Sequence, residues 1–386
     1  MTFPFDMTSR RALLGGVLSL AACGSSRETW SRRDIETRLA AFAAQSARLP
    51  AVPALPRTRP PALRDLSALP VGTCFLPDQA SDPVYEPLIG QQFSQITPEW
   101  NFQLPAVMRD DGGYDWSWPD QIAAFARRNR QRIHGTSLVW HQLDEVPAFQ
   151  RLADRPAAFA EALKRHIVTI MTRYREPTRG WDVVNEPFNW NGESHSDSLW
   201  SRTLGQEDYM VRAFEAAAEA DTGAVLFINE YNLEIFPRKR AAFMRLVDRL
   251  RQRGCAVGGV GTQTHLFGDT APGLVTAAIR DLGSLGLPVH ISEFDVKFGP
   301  AGRTPLTRTQ TLDIQKGLAD ETVAAFLALP AAQRYAFTVW GARDKDSFHN
   351  RASNGGDGSD APVLFDDYGA PKPAFWAVAD RLAAAA

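Results

Sequence analysis

Two glutamates follow apolar, strand-like runs at distant points of the chain, and a pair of carboxyl groups can cleave a glycosidic bond. Glu186 follows the run that begins at Trp181, and Glu293 follows the run that begins at Val289. Glycosidases place one carboxyl group on each side of the scissile bond. The two glutamates could share one site only if folding brings the two runs together.

Polar and aromatic side chains follow three further apolar runs. These run ends read Val139-Trp140-His141, Thr262-Gln263-Thr264-His265 and Val339-Trp340-Gly341. In a parallel barrel, chemistry is carried at the carboxyl ends of the strands, where side chains from different strands converge. The sequence therefore concentrates carboxylates, amides, imidazoles and indoles at one predicted rim.

Each of these features also has an ordinary structural explanation. Asn185-Glu186-Pro187 alone is typical of a turn or a helix start, because the helix dipole favours an acidic residue in the first turn. Ser292-Glu293-Phe294-Asp295 alone is typical of a solvated strand end. His265 alone could be a hydrogen-bonded core histidine, and Trp140 and Trp340 could be core residues. Their joint position at the ends of regularly spaced strands favours a site.

The elements that must position these residues alternate between short apolar runs and longer amphipathic ones from Leu66 onward, as in repeated βα units. Eight strands are predicted, centred on Val71–Phe75, Phe93–Thr97, Ile133–Val139, Trp181–Val184, Val225–Asn229, Val257–Gln263, Val289–Phe294 and Tyr335–Trp340. This pattern favours an α/β fold, a single-domain (β/α)8 TIM barrel. An open doubly wound sheet is the alternative, and the lack of a Gly-rich phosphate-binding motif after an early strand weakens it.

Composition excludes several classes of function. The 386 residues are 44% hydrophobic and carry a net charge of −2, so nothing draws the chain to nucleic acid or to an acidic membrane surface. The 10 Trp, 22 Phe and 7 Tyr suit stacking on a ligand. Three cysteines exclude a disulfide-dense scaffold and a four-cysteine zinc site. Cys74 and Cys255 could form a disulfide after export or remain buried thiols, and we expect no catalytic thiol.

The first residues are typical of an export signal. Arg10-Arg11 precedes a short apolar run that ends in Leu20-Ala-Ala-Cys23. The paired arginines resemble a twin-arginine signal. The Cys23 segment resembles a bacterial lipobox, at which the chain is cleaved and the cysteine is acylated, so that Cys23 would be the mature N-terminus. A transmembrane helix and an ordinary cleaved signal are the alternatives. We therefore predict a signal over residues 1–23, a polar, Pro-rich tether over 24–61 and a catalytic domain over 62–386. The protein would be in the cell envelope or secreted, touching a membrane only through its lipid.

Over Leu66 to Leu382 the chain resembles glycoside hydrolase family 10, the retaining endo-β-1,4-xylanases. The matching motifs are Thr97-Pro98-Glu99, Ser137-Leu-Val-Trp-His141, Trp181-Asp-Val-Val-Asn-Glu-Pro187, Gly261-Thr-Gln-Thr-His265, Ile291-Ser-Glu-Phe-Asp295, Thr338-Val-Trp-Gly341, Leu364-Phe-Asp366 and Pro371-Lys-Pro-Ala374.

The resemblance implies that Glu186 is the general acid/base and Glu293 the nucleophile of a double displacement. It also implies that His265 and Asp295 support the nucleophile and that Asn185 meets the 2-hydroxyl of the reacting sugar. The further substrate-binding residues that it implies are Glu99, His141, Gln263, Trp140 and Trp340. No metal or organic cofactor is implied, the partner is a polysaccharide, and we expect a monomer.

Several positions depart from the family pattern. Trp100 and Gln103 replace the family's Asn and Lys, which hold the second sugar on the non-reducing side, and they become candidate substrate-binding residues here. Thr136, Leu143 and Phe348 replace the family's His, Gln and second Trp. A sugar hydroxyl that loses its partner costs about 1 to 3 kcal/mol, enough to change preference tenfold. We therefore expect a preferred glycan that differs from plain xylan, such as a decorated chain or a bacterial exopolysaccharide.

Two other functions remain open from the sequence. One is a non-hydrolytic glycan-binding lipoprotein that kept the barrel and lost turnover. The other is a metal-dependent hydrolase, for which the candidate ligands are in His195-Ser196-Asp197. That pair lies in a polar segment and is better explained as solvated.

Overall fold

The computed structural model describes residues 32–143, 146–192, 195–299 and 306–386. The predicted signal and its processing site at Cys23 lie outside these residues. Among the helices that are described, none is long and apolar enough to cross a bilayer.

A closed parallel barrel forms the centre of the molecule, and the predicted (β/α)8 TIM fold is confirmed. The strands are β1 Val71–Phe75, β2 Gln95–Pro98, β3 Arg132–Gly135, β4 Val139–Trp140, β5 Thr178–Asn185, β6 Val225–Glu230, β7 Gly259–Thr262, β8 His265–Phe267, β9 Val289–Lys297 and β10 Arg334–Val339. The barrel closes because β10 pairs with both β9 and β1. Two short strands continue their predecessors toward the rim, since β4 pairs with β5 and β8 pairs with β9.

Helices surround the barrel. They are α1 Arg32–Arg48, α2 Tyr85–Gln92, α3 Leu104–Val107, α4 Ser117–Arg128, α5 Pro147–Gln150, α6 Pro156–Arg173, α7 Leu199–Leu204, α8 Asp208–Ala220, α9 Pro237–Gln252, α10 Leu274–Gly283, α11 Arg308–Leu327 and α12 Pro373–Ala384. The barrel strands are buried on both faces, which explains their continuous apolar runs. Buried polar side chains also occur along the strands, as at Gln95 and His290, and those of the site lie at the carboxyl ends.

The segment that the sequence assigned to the tether packs on the barrel where it is described. In α1, Ile35 and Phe42 are only 6% and 5% exposed, and this helix lies against α11. Arg57 pairs with Asp380 of α12 at 2.6 Å and its guanidinium lies over the ring of Trp376. The prolines after Pro50 prevent regular structure in this segment, but they do not keep the chain away from the domain.

Cys74 and Cys255 are both free and buried. Burial is the largest influence that raises the pKa of the Cys74 thiol, so this sulfur is held in its neutral form.

Candidate active site

Glu186 and Glu293 line the same cleft at the carboxyl ends of the barrel strands, a cavity of about 510 Å³. Glu186 directly follows β5, and Glu293 lies within β9. Both side chains are largely buried, with 5% and 8% of each residue exposed. The two glutamates are far apart in sequence, and barrel closure brings them to one cavity.

Neutral donors hold the carboxylate of Glu186. The indole Nε1 of Trp140 donates to Oε2 at 2.8 Å, and Nε2 of Gln263 donates to Oε1 at 3.0 Å. The amide of Gln142 lies 3.5 Å from Oε2. The backbone of Glu186 has a φ of 52°, in the left-handed region, and its N–H donates to the carbonyl of Asn229 at 2.9 Å. Such a backbone costs roughly 1 to 3 kcal/mol and persists only where surrounding contacts enforce it.

Charged and amide groups hold the carboxylate of Glu293. His265 Nε2 lies 3.2 Å from Oε2, and Nδ2 of Asn229 donates to Oε1 at 3.1 Å. The second nitrogen of His265, Nδ1, lies 3.0 Å from the fully buried Asp295. The predicted support of Glu293 by His265 and Asp295 is thus present as a chain of close contacts.

Asn229 joins the surroundings of the two glutamates, and the sequence interpretation missed it. Its amide donates both to Oδ1 of Asn185 at 3.0 Å and to Glu293, while the hydroxyl of Ser292 donates to its Oδ1 at 2.9 Å. Gly261 lies directly opposite Asn229 across β6 and β7. A Cβ atom at Gly261 would lie 2.2 Å from Oδ1 of Asn229, so only glycine leaves room for this side chain.

The electrostatics of the pair depend on burial and on His265. Burial raises the pKa of Glu293 to about 7, and contact with His265 works in the opposite direction. Burial lowers the pKa of His265, but Asp295 and Glu293 outweigh it and raise that pKa to about 10. His265 is therefore an imidazolium at neutral pH, and its positive charge favours the ionised form of Glu293.

The structure places most of the predicted site residues on the cleft wall. The lining residues are Glu99, Trp100, Gln103, Trp140, Asn185, Glu186, Gln263, His265, Glu293 and Trp340. Asp295 lies behind the wall, in contact with His265. The structure differs from the sequence interpretation at His141, which is not a lining residue. The chain turns through His141–Leu143 directly after β4, and this turn brings Gln142 rather than His141 to Glu186.

A loop at the other end of the cleft contributes charges that the sequence interpretation did not select. Arg351 makes a two-pronged ion pair with Glu99, at 2.5 and 2.7 Å. His349 reaches Asp295, and Lys345 reaches Asp82 at 2.8 Å. All three side chains come from the loop between β10 and α12. Trp100 and Gln103 lie beside Glu99 on the same wall, together with Thr136 and Phe348.

Within the part of the chain that the structure describes, two histidine–aspartate groups have the composition of a metal site. One consists of His265, Asp295 and His349, and belongs to the contacts behind Glu293. The other consists of His134, Asp182 and His290, all buried inside the barrel. His134 Nε2 lies 3.0 Å from Asp182 and its Nδ1 lies 3.2 Å from the hydroxyl of Tyr335, so this group is already paired internally. His195, the alternative metal ligand, lies 3.9 Å from Glu207, outside the cleft.

A family model and several known proteins match this chain. The model of the family described as glycosyl hydrolase family 10 matches residues 63–381. Endo-1,4-beta-xylanase 3 from Hypocrea jecorina is 31% identical over 290 residues, which cover 75% of this chain and 75% of that protein. Endo-1,4-beta-xylanase A from Cellvibrio japonicus is 29% identical over 350 residues, covering 83% of this chain and 56% of that protein.

A solved structure is also similar. A mutant of xylanase10C from Cellvibrio japonicus in complex with xylopentaose superposes with a TM-score of 0.77 at 27% identity, covering 86% of this chain and 70% of that chain.

Proposed function

The chain belongs to glycosyl hydrolase family 10, and we propose that Glu186 is its general acid/base and Glu293 its nucleophile. Its activity is that of a retaining, endo-β-1,4-xylanase-like glycosidase. One observation carries the two roles: both carboxyl groups line one cleft, but neutral amide and indole groups surround Glu186, whereas Glu293 faces the imidazolium of His265. Different surroundings allow two like carboxyl groups to take different roles.

In the first displacement, an oxygen of Glu293 attacks the anomeric carbon while Glu186 donates its proton to the departing glycosidic oxygen. A covalent glycosyl-enzyme forms and the aglycone leaves. Esterification removes the negative charge of Glu293, so that Glu186, now ionised, is stable beside it. In the second displacement Glu186 takes a proton from water, and the resulting hydroxide displaces Glu293 with net retention at the anomeric carbon.

Neighbouring side chains support this proposal by their position on the cleft wall. Asn185 is held by Asn229 at 3.0 Å, next to Glu293, where its amide can bond the 2-hydroxyl of the reacting sugar. Such a contact strengthens as the oxocarbenium-like transition state forms. Trp140 and Trp340 offer flat apolar faces to the sugar ring.

The roles are tested by a pair of substitutions and two substrates, a xylo-oligosaccharide and a dinitrophenyl glycoside. With Glu293→Ala we expect no turnover of any substrate, because no covalent intermediate can form. With Glu186→Ala we expect loss of activity on a xylo-oligosaccharide, but a retained first step on a dinitrophenyl glycoside, whose leaving group needs no proton. Equal loss on both glycosides in both variants would contradict this division of roles. Melting temperatures close to that of the wild type would show that both variants are folded.

We further propose that the preferred glycan is not plain xylan. The support is local: Trp100, Gln103, Thr136 and Phe348 all line the cleft at positions that depart from the family pattern. Glu99 is already paired with Arg351, so its oxygens are only partly available to sugar hydroxyls. A decorated xylan or an exopolysaccharide that carries different hydroxyl or substituent patterns would suit this altered wall.

This preference is tested with residues 24–386 on xylan, decorated xylan, mixed-linkage glucan and envelope polysaccharides. Reducing ends report cleavage, and proton NMR reports the anomer formed first. We expect the retained anomer and a higher kcat/KM on a substrate other than plain xylan. The highest kcat/KM on plain xylan would exclude the altered preference, and an inverted product would exclude the mechanism.

Export and anchoring through Cys23 complete the proposal. The support is the sequence alone: paired arginines, a short apolar run and a cysteine after small residues. Labelling of bacterial cells with a palmitate analogue should mark the wild type and leave Cys23→Ala unlabelled. Equal labelling of both, or of neither, would rule out acylation at Cys23.

A further inference from the structure

The carboxylate of Asp295 is in contact with two histidines, one at each oxygen. Nδ1 of His265 lies 3.0 Å from Oδ1, and Nε2 of His349 lies 3.2 Å from Oδ2. Asp295 is fully buried, and His349 is 7% exposed. The contacts behind Glu293 therefore extend one residue beyond the His265–Asp295 pair.

Oδ2 of Asp295 depends on His349 for its partner. Among the residues that the structure describes, neither this oxygen nor Nε2 of His349 makes a hydrogen bond, so their contact at 3.2 Å is the polar contact that each of them has. A buried carboxylate oxygen that loses its donor is left without water or protein to replace it. The orientation of the Asp295 carboxylate is thus set from both sides.

Local contacts fix the ring of His349. Its backbone N–H donates to the hydroxyl of Ser347 at 3.2 Å, and its ring centroid lies 4.0 Å from that of Phe348. Phe348 in turn lies 5.3 Å from the ring of His265. A side chain held in this way can position its neighbour rather than adapt to it.

We propose that His349 is a positioning residue for hydrolysis, which acts by fixing the Asp295 carboxylate that orients His265 against Glu293. This inference depends on the proposed role of Glu293 as nucleophile. His349 acts through Asp295 and His265, and needs no contact with the reacting atoms.

The charges around His349 give the direction of its effect. The titratable groups that face it are Asp295 on β9, His265 on β8 and Asp360 on its own loop, with Glu293 beyond His265. Without His349, one oxygen of Asp295 has no partner, and the negative charge of this carboxylate is less compensated. The carboxylate is also free to turn, so that it holds His265 less firmly against Glu293. Both effects disfavour the ionised form of Glu293, so the nucleophile is ionised only at higher pH.

The experiment compares His349→Phe with His349→Gln, whose amide can still donate to Asp295. The substrate is a dinitrophenyl β-glycoside, so that the rate reports the nucleophile and not proton donation by Glu186. For His349→Phe we expect kcat to fall roughly tenfold to a hundredfold with little change in KM, and the acid limb of the pH profile to move upward. His349→Gln should keep a profile close to that of the wild type. Ser359→Ala, in the same loop but away from the cleft, is the matched control.

An unchanged kcat and pH profile in folded His349→Phe would overturn the inference. Equal losses in His349→Phe and His349→Gln would also overturn it, since the donor would then be irrelevant. If His349→Phe does not fold, His349→Ser supplies the same test, because its hydroxyl is too short to reach Asp295. If the wild type cleaves no β-1,4-glycan at all, the proposed function itself fails. That outcome is distinct from a failure of the inference about His349, which is tested in an active wild type.

Discussion

Burial alone would keep the carboxyl group of Glu293 protonated. The imidazolium of His265 favours its ionised form, which is the form that can act as a nucleophile. Burial raises the pKa of Glu293 to about 7, and His265 opposes that rise. A carboxyl with a raised pKa is protonated below that pKa, so nucleophilic Glu293 is lost as the pH falls. The activity should therefore decline on the acid side near neutrality.

The first prediction concerns the acid limb of kcat/KM, which reports the free enzyme. We expect its midpoint near pH 7 in the wild type, because Glu293 must be ionised to attack. In His265→Asn the positive charge is absent, so the pKa of Glu293 should rise and the midpoint should move to higher pH. A midpoint that is unmoved or lowered in His265→Asn would show that His265 does not control the ionisation of Glu293.

Sequence reasoning located some site residues and missed others for identifiable reasons. Glu186 and Glu293 were located because a carboxylate after an apolar run stands out. Asn229 carries the same signal at the end of β6 and could have been found. His349 and Arg351 could not, since a long loop has no periodicity that shows where its side chains return to the barrel.

At the scale of elements, the pairing of β6 with β7 determines where Asn229 points. Gly261 lies opposite Asn229, and the missing side chain leaves the space that the amide occupies between Asn185 and Glu293. A glycine in the middle of a strand has an entropic cost of its own, so its presence here reflects a close contact. The strand predictions were accurate because the strands are buried on both faces. The predicted third strand joined β3 to the first residue of β4, and β8 was not predicted.

The second prediction follows from this contact. In Gly261→Ala the new Cβ would meet Oδ1 of Asn229, so Asn229 must move away from Glu293 and Asn185. Overpacking of this kind typically destabilises by about 1 to 3 kcal/mol, and we expect kcat to fall as well. Thermal unfolding and steady-state kinetics measure the two effects.

The control for Gly261→Ala is Gly223→Ala, where a Cβ would lie 3.4 Å from the nearest side-chain atom, an ordinary contact. Wild-type kinetics in Gly261→Ala would show that Asn229 need not hold its observed position.

At the scale of the whole molecule, residues 32–61 are part of the folded unit. Arg38 donates to the carbonyl of Asp269, in the loop after β8, and Arg381 of α12 donates to the carbonyl of Pro50. The segment thus contacts both the loop after β8 and the last turns of α12. Composition suggested a tether because five prolines lie between Pro50 and Pro61, inclusive. Composition alone does not report packing against distant helices.

The third prediction compares residues 32–386 with residues 62–386. The shorter chain loses the buried side chains of Ile35 and Phe42, each worth about 1.5 to 3 kcal/mol when fully buried, and leaves Asp380 without Arg57. We expect a clearly lower melting temperature for the shorter chain, measured by calorimetry. Equal melting temperatures would mean that the segment contributes nothing to stability. If the shorter chain keeps the wild-type kcat at low temperature, the segment acts on stability alone.

The contacts of Arg57 with Asp380 and of Pro50 with Arg381 hold residues 50–57 against α12. Tension applied at the leading end, as a bound polymer would apply it to an immobilised enzyme, is therefore carried first by α1, through its packing on α11 and the contact of Arg38 with Asp269, and then by α12. These contacts would have to open before that load reached the strands that carry Glu186 and Glu293.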